Sequence, residues 1–356
     1  MPATAQGFPT QDTLLQDHGE HLAVIQCDGC GLVQLNNAPV SYYRDVIRAA
    51  AYSAEMGEFR LQQFKGWAEK QHLTGKRILE IGCGKGEYLS LLQASGLDAY
   101  GIEHAPDAIE VCQQNGLKVT QGYFGDDEDI AYKDGLFDGF VCLNFMEHWP
   151  NPRKSLQALL PKLSEGAIGL VEVPNFDMIV QKGLFSEFIA DHLLYFTQAT
   201  LQLFLQNNGF EILECKPVCQ DYILSAVVRK RKTTDLSFFA DFRTNISKKL
   251  HAYIDQFPTK KVAVWGAGHQ ALAVISLAEI AQKIGYVVDS APFKQGKFTP
   301  ASHLPIVAPQ SLNENPVEAV IVMAASYSDE VARNLKSQFP HIKHVAILRD
   351  DGLENS

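Results

Sequence analysis

The segment Arg77-Ile-Leu-Glu-Ile-Gly82-Cys-Gly84-Lys-Gly86 is an apolar run that enters a glycine-rich turn. Such a run reads as a strand, and glycines directly after it let the backbone turn sharply and approach a ligand before a helix begins. The following strand, Tyr100-Gly-Ile-Glu103, ends in an acid 21 residues after Gly82. A carboxylate at that point accepts hydrogen bonds from ribose hydroxyls. Gly82, Gly84, Gly86 and Glu103 thus read as a nucleoside site, and taken alone they fit NAD as well as any other nucleoside cofactor.

Two details favour S-adenosylmethionine. Glu80 aims a second carboxylate at the turn, where a dinucleotide would place its anionic pyrophosphate, whereas S-adenosylmethionine brings an ammonium and a sulfonium. Phe137-Asp-Gly-Phe-Val-Cys-Leu-Asn144-Phe-Met-Glu147-His148-Trp-Pro150 then sets polar groups at the carboxyl end of a fourth strand, where doubly wound sheets bind ligands. Asn144 is expected to touch the donor. Gly122-Tyr-Phe-Gly125 follows the third strand, so Tyr123 and Phe124 are expected beside the adenine.

Outward from this site, a helix pattern runs from Tyr52 to about Gln71, and helices and strands alternate as far as Glu172. Two strands with a short loop, Phe210–Cys215 and Tyr222–Arg229, are expected to pair antiparallel at the sheet edge. A second alternation starts at Lys261-Val-Ala-Val-Trp-Gly266 and continues through Gly285–Asp289, Glu318–Met323 and His344–Leu348. The fold class is α/β: a doubly wound sheet of seven strands with an antiparallel edge, plus a smaller Rossmann-like domain. The expected division is an N-terminal module over 1–45, a donor-binding domain over 46–232, a linker helix over 233–258 and the second domain over 259–356.

The chain has 356 residues, 46% of them hydrophobic and 20% charged, which is globular composition. Its formal charge of −10 argues against nucleic acid as a partner, since that binding depends on neutralising phosphates. No apolar run is long enough to span a membrane, and the first residues lack a signal-peptide pattern, so a cytoplasmic protein is expected. The seven cysteines are too scattered for a disulfide framework. A monomer is compatible with everything read so far.

A methyl acceptor requires alignment and, for some atoms, loss of a proton. Phe188-Ile-Ala-Asp191-His192-Leu-Leu-Tyr195-Phe-Thr197, after the fifth strand, supplies an acid, an imidazole and a phenol within five residues. His192 would be a general base, with Asp191 or Tyr195 orienting it or binding a carbonyl oxygen; a helix start with a packed Tyr and a satisfied His is the plainer reading. In the second sheet, Trp265-Gly266-Ala-Gly268-His269 resembles a mononucleotide half-site, and Lys294 and Lys297 add positive charge. His269 and Lys294 would meet a diphosphate, or the lobe would serve only as a wall.

Nearly end to end, the chain resembles the C-methyltransferases that act on nucleotide-linked keto-deoxysugars. Ile78–Gly86 resembles their donor loop, Asn144–Pro150 and Val171–Pro174 their strand ends, and Val288–Pro300 with His303–Ile306 their C-terminal signature. The resemblance implies that His192 is the base that forms a sugar enolate, that Asp191 replaces a glutamate beside it, and that His148 lies near the sugar. It also implies a co-substrate, S-adenosylmethionine, and a nucleotide-linked sugar as partner. Where the family has tyrosine and histidine, this chain has Ile189 and Ala190, which keeps an O- or N-methyltransferase in contention. A sugar-nucleotide oxidoreductase lacks a recognisable hydride-transfer set, and a non-catalytic binding protein is the remaining alternative. Cys27-Asp-Gly-Cys30 resembles half of the family's N-terminal zinc module. Two thiolates do not complete a tetrahedral site, and His18 and His21 would reach it only at strained spacing, so no metal ligand is assigned.

Overall fold

The computed structural model describes residues 1–2, 8–44, 53–125 and 135–356. The expected helix start at Tyr52 and the expected boundary at 45/46 lie outside the described residues. The chain divides into two compact units, Met1–Thr233 and Thr234–Ser356.

In the first unit a single 3₁₀ turn, Leu14–Gln16, precedes a small antiparallel pair, β1 (Val24–Gln26) and β2 (Val33–Leu35). Helix α1 (Ala54–Lys70) follows, capped by the Ser53 hydroxyl, which accepts from the Met56 amide. Then come β3 (Arg77–Ile81), α2 (Glu87–Ala94), β4 (Asp98–Glu103), α3 (Pro106–Gln114), β5 (Lys118–Gln121), β6 (Phe137–Leu143), α4 (Pro152–Leu159), β7 (Leu163–Pro174) and α5 (Phe176–Lys182). The short β8 (Leu194–Tyr195), α6 (Gln198–Asn207), β9 (Phe210–Val218) and β10 (Ile223–Lys230) complete it.

Seven strands form one sheet in the order β5-β4-β3-β6-β7-β10-β9. The first five are parallel, and β10 lies antiparallel between β7 and β9. Successive side chains point to opposite faces, so each strand feeds two cores. Leu79, Ile81, Phe140 and Cys142 enter one; Ile78, Val141, Leu143 and Leu170 enter the other. Side chains of this size each contribute about 1.5–3 kcal/mol when fully buried. Burial on both faces explains why the parallel strands read as continuous apolar runs.

Strand β8 does not join that sheet. It pairs with β2, Val33 opposite Tyr195 and Gln34 opposite Leu194, in a three-stranded sheet β1-β2-β8. The N-terminal segment is thereby hydrogen-bonded to the chain that carries Asp191 and His192.

The second unit begins with α7 (Phe238–Ile254), followed by β11 (Val262–Trp265), α8 (His269–Leu277), β12 (Val287–Val288), β13 (Ile306–Val307), α9 (Ser311–Glu314), β14 (Ala319–Val322), α10 (Ser328–Gln338), β15 (His344–Arg349) and β16 (Gly352–Asn355). Its sheet runs β13-β12-β11-β14-β15-β16, parallel except for β16. Among the described residues no helix is long and apolar enough to cross a membrane.

Candidate active site

The donor side is built around the turn after β3. Gly82, Gly84 and Gly86 all adopt left-handed backbone, with φ of 66°, 56° and 88°. At two of them space is limiting too: a Cβ on Gly82 would lie 2.8 Å from the Phe145 ring, and one on Gly86 2.3 Å from Leu117 Cδ1. Glu103, 8% exposed, braces this turn. Its carboxylate accepts from the Gly84 amide at 2.8 Å, the His104 amide at 2.8 Å and the Ala105 amide at 3.0 Å. A carboxylate offers about four acceptor positions, which leaves room for one ribose hydroxyl.

Glu80 is fully buried in β3. The Cys83 thiol is pushed well up by its hydrogen bond with Cys112, by burial and by the charge of Glu80, so the carboxylate acts on the turn electrostatically. Tyr123 and Phe124, both buried, line a cavity with Gly82, Glu103, Phe145 and Trp149. That cavity holds only about 10 Å³, so an adenine would enter by displacing side chains. The Tyr43 ring stands edge-on to Tyr123 at 5.8 Å, and the Arg44 guanidinium lies 5.8 Å from the same ring.

Asn144 follows β6 with φ of 48°, and its amide donates to the Glu172 carbonyl at 2.8 Å. Its Oδ1 is buried with no hydrogen-bond partner among the described residues. A non-glycine residue held there stores roughly 1–3 kcal/mol, and such strain concentrates at ligand sites. Glu172 itself is buried in an ion pair with Arg60, which stays charged because Glu172 offsets its desolvation.

Beside the donor turn lies a second cluster. His148 ends a single 3₁₀ turn, Met146–His148, just after Phe145. The Phe145 ring links the two, covering Gly82 on one side with its centroid 6.5 Å from that of His148 on the other. Asp191 and His192 come from the loop between α5 and β8. His148 Nδ1 donates to the Asp191 carbonyl at 2.8 Å, and the Asp191 carboxylate lies 4.0 Å from the same nitrogen. The His148 and His192 rings stand nearly perpendicular, 4.6 Å between centroids. The Asp191 carboxylate is 3% exposed, and its Oδ1 has no hydrogen-bond partner among the described residues.

Both imidazoles are held neutral. Burial lowers His148, partly opposed by Asp191, while burial and then the neighbouring His148 bring His192 down to about 3. A neutral imidazole can accept a proton, and it retains one where a neighbouring negative charge develops. The loop is clamped at Leu193, whose amide donates to the Glu147 carbonyl at 2.8 Å and whose carbonyl accepts from the Leu35 amide at 2.9 Å.

Of the remaining expected residues, Tyr195 lies beside His192, with 6.4 Å between ring centroids, and the other two belong to the second unit. Tyr195, expected against the acceptor, is 3% exposed, and its hydroxyl is engaged by the Ile189 amide at 3.1 Å and the Ile189 carbonyl at 3.3 Å. His269 opens α8 in the second unit and is exposed. Lys294 donates to Asp289 at 2.9 Å, and Asp289 also accepts from the Ala267 and Ala291 amides. The Asp289 carboxyl is raised by burial but ends below its usual range because of Lys294 and those two amides. Part of the positive charge expected for a phosphate is therefore already matched. Glu147 received no role from the sequence; it is 1% exposed with Oε1 3.9 Å from His148 Nε2. Its position immediately before His148, past the strand end, was the available signal.

Comparison with known proteins assigns both units. Residues 51–215 match the methyltransferase domain family, which makes the chain a methyltransferase with S-adenosylmethionine as co-substrate. Residues 224–341 match the C-methyltransferase C-terminal domain family, and the two matches together support an S-adenosylmethionine-dependent C-methyltransferase. It is 21% identical over 291 residues to the C-methyltransferase NovU of Streptomyces niveus, covering 74% of this chain and 69% of that protein. A ubiquinone biosynthesis O-methyltransferase of Paraburkholderia phymatum is 29% identical over 126 residues, 34% of this chain and 53% of the relative. One from Cupriavidus pinatubonensis is 24% identical over 200 residues, 50% of this chain and 77% of the relative.

Proposed function

We propose that this enzyme transfers the methyl of S-adenosylmethionine to carbon, next to the ketone of a nucleotide-linked keto-deoxysugar. The observation that carries the reading is the group of buried His148 and Asp191 with half-buried His192, which adjoins the donor turn through Phe145. The sulfonium is already electrophilic, so the protein has to expose a nucleophilic carbon. In this mechanism His192 removes the proton alpha to the ketone, and the electron pair of that C–H bond forms the enolate. The enolate carbon then attacks the methyl, the sulfur–methyl bond breaks, and S-adenosylhomocysteine leaves. His148, fixed by the Asp191 carbonyl, packs against the His192 ring and orients it, while the Asp191 carboxylate, 4.0 Å from His148 Nδ1, places negative charge beside the imidazole pair.

Glu103, Gly82, Gly84 and Gly86 hold the ribose and methionyl part of the donor, Tyr123 and Phe124 its adenine, and Asn144 and Glu80 its polar groups. Within the second unit taken by itself, His269 and Lys294 would meet a phosphate, provided that Lys294 exchanges Asp289 for it. Oxygen methylation is favoured instead by Ile189 and Ala190, which remove two polar groups from the acceptor segment. Solvent exchange separates the two readings. In D₂O, with S-adenosylhomocysteine bound, the wild type is expected to wash deuterium into the carbon beside the ketone and His192→Ala is not; no exchange by the wild type would defeat the enolate reading.

A further inference from the structure

Glu147, His148 and His192 each offer one ligand atom, and these atoms all lie within 4.8 Å of one another. Among the described residues this is the group of three His, Cys, Asp or Glu side chains that converges in this way, and neither Cys27 nor Cys30 takes part. Two imidazoles and one carboxylate are the donor set that zinc accepts with a fourth position left open.

The orientation of His148 fits that use. Its Nδ1 faces a backbone carbonyl, which can only accept, so Nδ1 carries the hydrogen and the lone pair resides on Nε2. Nε2 faces Glu147 Oε1 at 3.9 Å. A ring nitrogen donating to a carbonyl while the other faces the cluster is the arrangement that orients metal-bound histidines. Burial of Glu147 and His148, 1% and 4% exposed, keeps competing water away from the ligand atoms.

We propose that Glu147, His148 and His192 form a zinc-binding site, and that Zn²⁺ bound there silences the enzyme by taking the lone pair His192 needs as a base. The silencing rests on the role proposed above for His192; the binding does not. Zinc occupancy and methyl transfer are then mutually exclusive, and a chelator restores activity.

The test uses the full-length chain carrying Cys27→Ser and Cys30→Ser, which removes the thiolate pair as a rival site. Co²⁺ titration is expected to give one ion per chain with tetrahedral-type visible absorption and no thiolate charge-transfer band, and Zn²⁺ should displace it. Glu147→Gln, nearly isosteric, and His148→Ala should each weaken Zn²⁺ binding by more than about 100-fold, since loss of an outer-shell partner alone costs 10- to 100-fold. Absence of a stoichiometric site, or variants that bind as well as the parent, would overturn the site. Zn²⁺ should also stop deuterium exchange, and EDTA should restore it. A chelated enzyme that is inactive until zinc is added would overturn the inhibitory role. A metal-free enzyme that never exchanges deuterium would instead strike the enolate reading and leave the binding data standing.

Discussion

Single residues carry separable loads in this site. Glu103 accepts three backbone amides and, in the proposed complex, a ribose hydroxyl, so Glu103→Ala should weaken donor binding by about 1–3 kcal/mol, measured by calorimetry. His192→Ala should instead abolish turnover while donor affinity stays near wild type; the reverse pattern would exchange their roles. Gly86→Ala meets both a left-handed backbone and a leucine methyl at 2.3 Å, and it should lower unfolding stability by at least about 1 kcal/mol. The three turn glycines and Glu103 were legible in the sequence because their spacing follows from the backbone geometry of a strand–turn–helix. The partnership of Tyr195 with Ile189 was not, since a phenol six residues along a loop can face outward or back, and only the folded loop decides. Lys294 likewise reads as free charge until β12 places Asp289 beside it.

At the scale of elements, the pairing of β2 with β8 is what sequence reasoning could not reach. Three residues and two residues are too short for a periodic signal, and their partners lie 162 and 160 residues apart by number, Val33 opposite Tyr195 and Gln34 opposite Leu194. The consequence is that the N-terminal segment fixes the loop of Asp191 and His192. Leu35→Pro removes the amide that donates to Leu193, so amide exchange around Leu194 and Tyr195 should accelerate. kcat should fall several-fold with donor affinity unchanged, whereas a fall in donor affinity alone would remove the loop from the account. The second sheet shows the same limit: β13 has two residues and β16 four, and both escaped a reading that found β11, β12, β14 and β15 from their apolar runs.

For the whole molecule, the two units have their own cores, and in each the alternation of the longer apolar runs with helices was visible in the sequence. Acid should weaken the second unit where Asp289 is held. Its depressed carboxyl pKa means that the stabilisation is present above the ordinary value of about 4 and is lost as pH falls below it. Asp289→Asn should therefore flatten that part of the pH–stability profile, read by thermal unfolding between pH 6 and pH 2. An unchanged profile would mean that other groups govern it.

The central claim concerns the atom that receives the methyl. Incubation with methyl-labelled S-adenosylmethionine and a panel of nucleotide-linked keto-deoxysugars, with carbon-position analysis of the product, tests it directly. A new methyl on the carbon next to the ketone, formed by the wild type and not by His192→Ala, is the result expected. A methyl found on oxygen or nitrogen, or equal turnover without His192, would contradict it.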